Sequence, residues 1–353
     1  MEKLTQGEAG SFYTFLSDGC KLCQKGAKMV LFITGLCPRD CFYCPVSEER
    51  RKDLTYANEK LVNSDTDVLE EARRMNALGT GITGGEPLIR LEKVLHYIKL
   101  LKSEFGSNHH IHLYTSIAPD EETIHMLESA GLDEIRFHPP VDIWDELEDS
   151  NYPRSIKAAK ASKILTGIEI PSIEGAEKVV DLARELDCFI NLNELEFSDS
   201  NAEKMKDMGY RLETEISNAV EGSIGVSKDI NETDSNVKMH FCSSTYKDAV
   251  QLRERLIRIA ENTARIFDEI TDEGTIVYGH IICNDEQSAI ELARTVLEQG
   301  IEKEAIQIID CSIETSWGIL EQIADDIRDF TKEMFIIERY PFEHGLIVEK
   351  IPI

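Results

Sequence analysis

The run Met29-Val30-Leu31-Phe32-Ile33-Thr34-Gly35-Leu36-Cys37-Pro38-Arg39-Asp40-Cys41-Phe42-Tyr43-Cys44-Pro45 is an apolar strand that breaks at Gly35 into a loop carrying three cysteines. An unbroken apolar and β-branched run suits a strand buried on both faces of a parallel sheet. The cysteines behind it stand with three and then two residues between them. Thiolates this close on one loop can reach three irons of a four-iron cluster, and the fourth iron receives no ligand from the motif. An open metal position is where a substrate or cofactor can coordinate. A zinc knuckle is the competing use, but structural zinc takes four protein ligands and this loop offers three.

Outward from that loop, short apolar runs alternate with helical patterns, the habit of βα units. Strands are predicted over 29–34, 81–83, 111–115, 134–138, 165–171 and 189–195. Between them Val68, Leu69, Ala72, Met75 and Leu78 mark a helix started by Ser64 with Asp67 three residues on. Six strands fall short of a closed eight-unit barrel. The expected fold is therefore α/β: a partial (β/α)6 TIM-like barrel over 29–198, with an N-terminal cysteine-containing extension over 1–28. An irregular linker over 199–240 leads to a C-terminal α+β domain over 241–353. In that domain helices are predicted over 247–270, 285–299 and 317–330, and strands over 275–283, 305–312, 334–338 and 345–351.

Thr83-Gly84-Gly85-Glu86-Pro87 closes the second predicted strand. Two glycines permit close backbone approach, and a glutamate can accept from an ammonium. Taken with CPRDCFYC, whose last cysteine follows an aromatic residue, the chain resembles the radical S-adenosylmethionine (SAM) superfamily. The resemblance implies that Cys37, Cys41 and Cys44 ligate a [4Fe–4S] cluster whose unique iron is chelated by the amino and carboxylate groups of SAM. It implies that Tyr43 lies against the adenine and that Gly84, Gly85, Glu86 and Pro87 hold the amino group. An electron donor such as ferredoxin or flavodoxin would reduce the cluster, the C5′–S bond would break, and a 5′-deoxyadenosyl radical would abstract hydrogen from substrate.

Ser116, Arg136, His138, Glu169, Asn191, Asn193 and Glu194 lie in or just after later strands, where barrels present polar side chains to ligands. Ser116, Glu169 and Asn193 are the expected additional contacts; the last two interrupt apolar strands and would be costly to bury unpaired. Over its first two hundred residues the chain is similar to uncharacterised members grouped with glycyl-radical-enzyme (pyruvate formate-lyase) activases. That likeness leaves the substrate open. A radical SAM methylase or a modifier of RNA or protein is the alternative within the superfamily. Outside it stands a non-catalytic zinc-binding interaction protein.

Cys20-Lys21-Leu22-Cys23 and His240-Phe241-Cys242 also have ligand spacing. Three thiolates and an imidazole would complete a structural Zn2+ site. An auxiliary iron–sulfur cluster, or two pairs that never meet, are the other readings. Cys188, Cys283 and Cys311 fall in predicted strands as core residues. His109, His110 and His112 read as solvated or core histidines, since neighbouring residues of a strand face opposite ways.

Sixty-six acidic against 38 basic residues, a net charge of −28, would repel a phosphate backbone. Nucleic acid is thus disfavoured as a partner, although Arg50, Arg51 and Lys52 could line a local groove. An acidic surface also suits a salty cytoplasm. Nine cysteines in 353 residues are too sparse for a disulfide scaffold. Neither a signal-peptide pattern nor a run of about 18 apolar residues occurs, so a cytoplasmic protein without membrane contact is expected.

Overall fold

The structure, a computed structural model, describes residues 4–233, 236–342 and 345–353. It comprises two units, Met1–Arg73 with Ala77–Leu252, and Arg74–Asn76 with Arg253–Ile353.

In the first unit seven strands run parallel and in sequence order. They are β1 Lys28–Phe32, β2 Gly79–Thr83, β3 His110–Thr115, β4 Glu134–Phe137, β5 Leu165–Ser172, β6 Phe189–Glu194 and β7 Met239–Cys242. Parallel neighbours need crossover connections, and helices supply most of them: Asp65–Arg74, Leu91–Phe105, Glu121–Ala130, Tyr152–Ala161 and Ala176–Glu185. Helix Glu121–Ala130 shows how sequence sets such an element. The Asp120 side chain caps it by accepting from the Thr123 N–H, Ile124 and Leu127 are buried, and Gly131 ends it in the left-handed conformation.

The barrel is open. Its outer strands do not pair with each other: the short strand Tyr56–Ala57 covers β1 and Phe12–Tyr13 covers β7, both antiparallel. Register places Gly81 beside His112, Tyr114 beside Arg136, Glu169 beside Asn191, and Asn193 beside Cys242. One face of the sheet therefore carries a set of polar side chains.

Three expectations change here. The seventh strand begins at the end of the linker expected over 199–240 and runs on into the expected C-terminal domain, and the division between units falls after Leu252. The extension expected over 1–28 joins the barrel in its described part: helix Asp18–Gln24 lies against the polar inner face. Ser17 donates to Glu134 at 3.0 Å, the Gly19 N–H donates to the same carboxylate at 3.1 Å, and a Cβ on Gly19 would fall 2.6 Å from the Arg136 guanidinium. Glycine is needed there to let the helix approach.

The second unit is an antiparallel sheet in the order β9-β10-β8-β11-β12, formed by β8 Ile276–Ile282, β9 Ile306–Ile309, β10 Ser312–Thr315, β11 Glu333–Arg339 and β12 Ile347–Pro352. Helices Glu286–Glu298 and Trp317–Ile327 bury Leu292, Val296, Leu320 and Ile323 against Ile281, Ile313 and Met334. The strand expected over 305–312 is a hairpin, turned at Asp310 with φ 51°. The helix expected over 247–270 ends at Thr263, where Arg265 folds onto Asp268. Among the described residues no helix is long and apolar enough to cross a membrane.

Candidate active site

The cysteine loop leaves the C-terminal end of β1, where barrels carry their ligand-binding loops. Its first residue allows no side chain: a Cβ on Gly35 would lie 1.6 Å from the Arg50 carbonyl oxygen. The Gly35 N–H donates to the Lys52 carbonyl at 2.7 Å, so the loop returns to its own base. The turn after β2 is tied to the same place. Gly85 N–H donates to Thr34 at 2.7 Å and Glu86 N–H to Leu36 at 2.9 Å. A Cβ on Gly84 would meet the Thr34 oxygen at 2.6 Å, and one on Gly85 the Leu36 oxygen at 2.5 Å. The paired glycines are thus a steric requirement of two loops in contact.

These loops surround a cavity of about 430 Å³. Cys37, Cys41, Cys44, Tyr43, Gly84, Gly85, Pro87, Ser116, Glu169 and Asn193 all line it. The three thiols are free of disulfides, Cys37 exposed and the other two half-buried. Burial pushes the Cys37 and Cys41 thiols up, and neighbouring cysteine charge adds to it, so taking up a metal there would release protons. Three thiols on one loop beside an open cavity match the donor set of a cluster with a free iron.

Glu86 does something other than expected. It is fully buried and is not among the residues lining the cavity. Its carboxylate accepts four hydrogen bonds, from Leu88 N–H at 3.0 Å, Thr115 hydroxyl at 2.9 Å, Ser116 N–H at 2.6 Å and Ser116 hydroxyl at 2.7 Å. A carboxylate offers about four lone-pair sites, so none is left for an ammonium. Glu86 clasps the end of β2 to the end of β3 and thereby sets Ser116.

Tyr43 is pinned by a chain. The His138 Nδ1 lies 2.6 Å from the Glu169 carbonyl, which can only accept, so that nitrogen carries the proton and Nε2 accepts from the Tyr43 hydroxyl at 2.7 Å. Burial holds the His138 pKa below its ordinary value, which keeps the ring in this neutral form. The segment expected as a linker clamps the loop from outside. Asn201 donates to the Tyr43 carbonyl at 3.0 Å, Ser200 to the Cys44 carbonyl at 3.2 Å, and Lys204 pairs with Asp40 at 2.9 Å.

Below the cavity Arg136 spends all five of its N–H groups. They reach Glu134 at 2.6 Å, Glu169 at 2.8 Å, Tyr114 at 2.9 Å, Ser17 at 3.0 Å and the Cys20 sulfur at 3.4 Å. Asn191 and Asn193 also donate to Glu169, each at 2.9 Å. Burial alone would raise the Glu169 pKa, but Arg136 and the two amides hold it down. A fixed carboxylate is thereby presented to the cavity. Glu194 serves elsewhere, accepting from the Ser244 N–H at 2.8 Å.

Cys20, Cys23, His240 and Cys242 share this buried neighbourhood, since the charge on Cys20 is felt by Cys23 and Cys242 and His240 acts on Cys20. They are not gathered as a zinc site: among the described residues no three His, Cys, Asp or Glu side chains are arranged to hold one metal ion. The Cys20 sulfur instead accepts from Arg136 and from Asn191, each at 3.4 Å. Burial opposes its ionisation, but Arg136 and His240 outweigh that and hold the thiol down at about 7, against an ordinary 9.0. Cys20 therefore stabilises the fold fully above pH 9 and loses that contribution as pH falls through 7. The gap is worth about 2–3 kcal/mol. In denaturant melts the advantage of the native protein over Cys20→Ser is expected to shrink by that order between pH 9 and about pH 6. An advantage independent of pH would mark Cys20 as a neutral thiol.

His109 and His110 of the histidine run are structural. His109 bonds Thr80 at 2.9 Å, His110 meets Lys28 at 2.6 Å, and burial draws both histidine pKa values down to about 4. Cys188 and Cys283 are core residues as expected, whereas Cys311 is exposed in the hairpin turn.

The radical SAM superfamily profile matches residues 31–172, and a domain of unknown function (DUF8061) matches 274–353. A protein of Methanocaldococcus jannaschii named glycyl-radical enzyme activating enzyme is 39% identical, with 96% of this chain and 93% of that protein covered. Two solved structures, native anSMEcpe with bound AdoMet and the same protein with AdoMet and the Cp18Cys peptide, are 14% and 13% identical with TM-scores of 0.39 and 0.38. Each comparison covers 70% of this chain and 72% of the other. Scores that low carry no argument about this chain. The long relative and the profile over the barrel decide the matter: the chain belongs to the radical SAM superfamily, which implies SAM and an iron–sulfur cluster as its cofactors.

Proposed function

We propose that Cys37, Cys41 and Cys44 hold a [4Fe–4S] cluster, that SAM occupies the adjoining cavity, and that the protein abstracts hydrogen from a glycine of a partner enzyme. The observation that carries this reading is the opening of all three thiols onto one 430 Å³ cavity at the strand ends. When bound, the cluster supplies the electron that breaks the C5′–S bond of SAM to give a 5′-deoxyadenosyl radical.

The chain's own residues position and shield. Gly84 and Gly85 expose backbone for the amino group, Tyr43 forms a wall fixed through His138, and Glu169 with Asn193 offers acceptor and amide to hydroxyl or N–H groups. The reacting centre must be kept from water and from other hydrogen donors, which a cavity closed below by the Arg136 network favours. Support for a protein substrate comes from the name of the M. jannaschii relative. A ferredoxin or flavodoxin is the class of electron donor such a cluster requires.

Product analysis separates this from the methylase alternative. Reconstituted protein, dithionite and SAM are expected to give 5′-deoxyadenosine and methionine in equal amounts, the adenosyl radical taking its hydrogen from buffer or reductant when the partner glycine is absent. S-adenosylhomocysteine as the main product would overturn the reading in favour of methyl transfer.

A further inference from the structure

Arg39 stands inside the cysteine loop and lines the cavity. Its hydrogen-bonding is poor beside that of Arg136. One Nη2 contact reaches the Ser116 carbonyl at 3.3 Å, the Tyr152 hydroxyl lies nearby, and Nε is buried with no partner. Among the described residues no Asp or Glu forms an ion pair with it. In a chain with 66 acidic and 38 basic residues, an arginine that faces a cavity without a carboxylate partner is an electrostatic exception. A guanidinium with spare N–H groups matches a carboxylate in charge and fork geometry. Arg51 also lines the cavity, but it has Glu48 at 3.3 Å.

Position narrows the source of that carboxylate. The Ser116 carbonyl that Arg39 touches also accepts from Tyr152 at 2.6 Å, and the Ser116 hydroxyl is held by Glu86 next to the Gly84-Gly85 turn. Ser116 also acts on the Cys37 thiol. Arg39 is thus at the end of the cavity shared by the cysteines and the paired glycines.

Resting on the function proposed above, we infer that Arg39 receives the carboxylate of SAM and orients its methionine end. The structure assigns Glu86 no free lone pair for the opposite group, so orientation depends more heavily on the carboxylate. Arg39 acts by binding and positioning; no proton leaves it.

The test compares SAM with decarboxylated SAM, which lacks that group, by equilibrium dialysis on the reconstituted protein. In the native protein SAM is expected to bind more tightly. In Arg39→Gln the ratio of the two dissociation constants is expected to shrink by about ten- to hundredfold, with SAM affinity falling and that of the analogue nearly unchanged. Arg51→Gln is expected to leave the ratio within about twofold. An unchanged ratio in Arg39→Gln, with iron content equal to the native protein, would overturn the inference, because a purely structural arginine weakens both ligands alike. Failure of the native protein to bind either ligand would instead overturn the reading on which the inference rests.

Discussion

Cys41→Ala is expected to yield a folded protein that, after anaerobic reconstitution, loses nearly all of the about four irons a [4Fe–4S] centre contains. Cys41 is half-buried on an irregular loop, and its side chain is not among the core residues of the barrel. Removing it should therefore leave the helical circular-dichroism signal and the melting temperature close to native. The remaining pair, Cys37 and Cys44, cannot hold a cluster that already has one iron without a protein ligand. Iron and sulfide assays beside circular dichroism check this directly. Retention of native iron by the variant would place the cluster elsewhere in the chain.

Glu86→Ala should destabilise the barrel strongly. The carboxylate lies fully buried and satisfies two backbone N–H groups and two hydroxyls from Leu88, Thr115 and Ser116. Deleting it strands those donors where water does not reach. Each buried orphan costs about 1–3 kcal/mol, partly relieved as the hydroxyls rotate to other acceptors. A net loss of about 3–5 kcal/mol follows, which for a domain of this size lowers the melting temperature by about 10 °C. SAM affinity should fall as well, since Ser116 and the Gly84-Gly85 turn lose their common tether. A melting temperature within about 2 °C of native would show that the clasp is dispensable.

The same residue shows where sequence reading stops. Gly-Gly-Glu-Pro after a strand shows that backbone must approach backbone, and the structure has that approach at Gly84 and Gly85. Whether the glutamate points into the cavity or away depends on Ser116, thirty residues later. The order of the first six strands was legible because their apolar runs alternate with helical periodicity. The seventh was not: Met239–Cys242 has only four residues, and it follows a long polar stretch in the sequence before pairing with β6. Nor does anything in Cys20-Lys21-Leu22-Cys23 signal that its helix lies on the inner face of the barrel, because that depends on Gly19 meeting Arg136 across the fold. Ligand spacing made four residues look like zinc ligands, whereas a guanidinium and an amide take up the Cys20 sulfur.

Arg136 was readable only as a polar residue in a strand. Its five partners come from the extension, β3, β4 and β5, and no local pattern joins them. Arg39 was in plain view between two cysteines, but that it has no carboxylate partner among the described residues becomes visible only in the folded chain.

Electron paramagnetic resonance of the reduced, reconstituted protein, recorded before and after adding SAM, tests the central assignment most directly. A cluster held by Cys37, Cys41 and Cys44 with its free iron facing the cavity should give a four-iron signal that shifts when SAM binds, and Cys41→Ala should give none. A four-iron signal that SAM leaves unmoved would contradict the account, because the cluster would then have no open position toward the cavity.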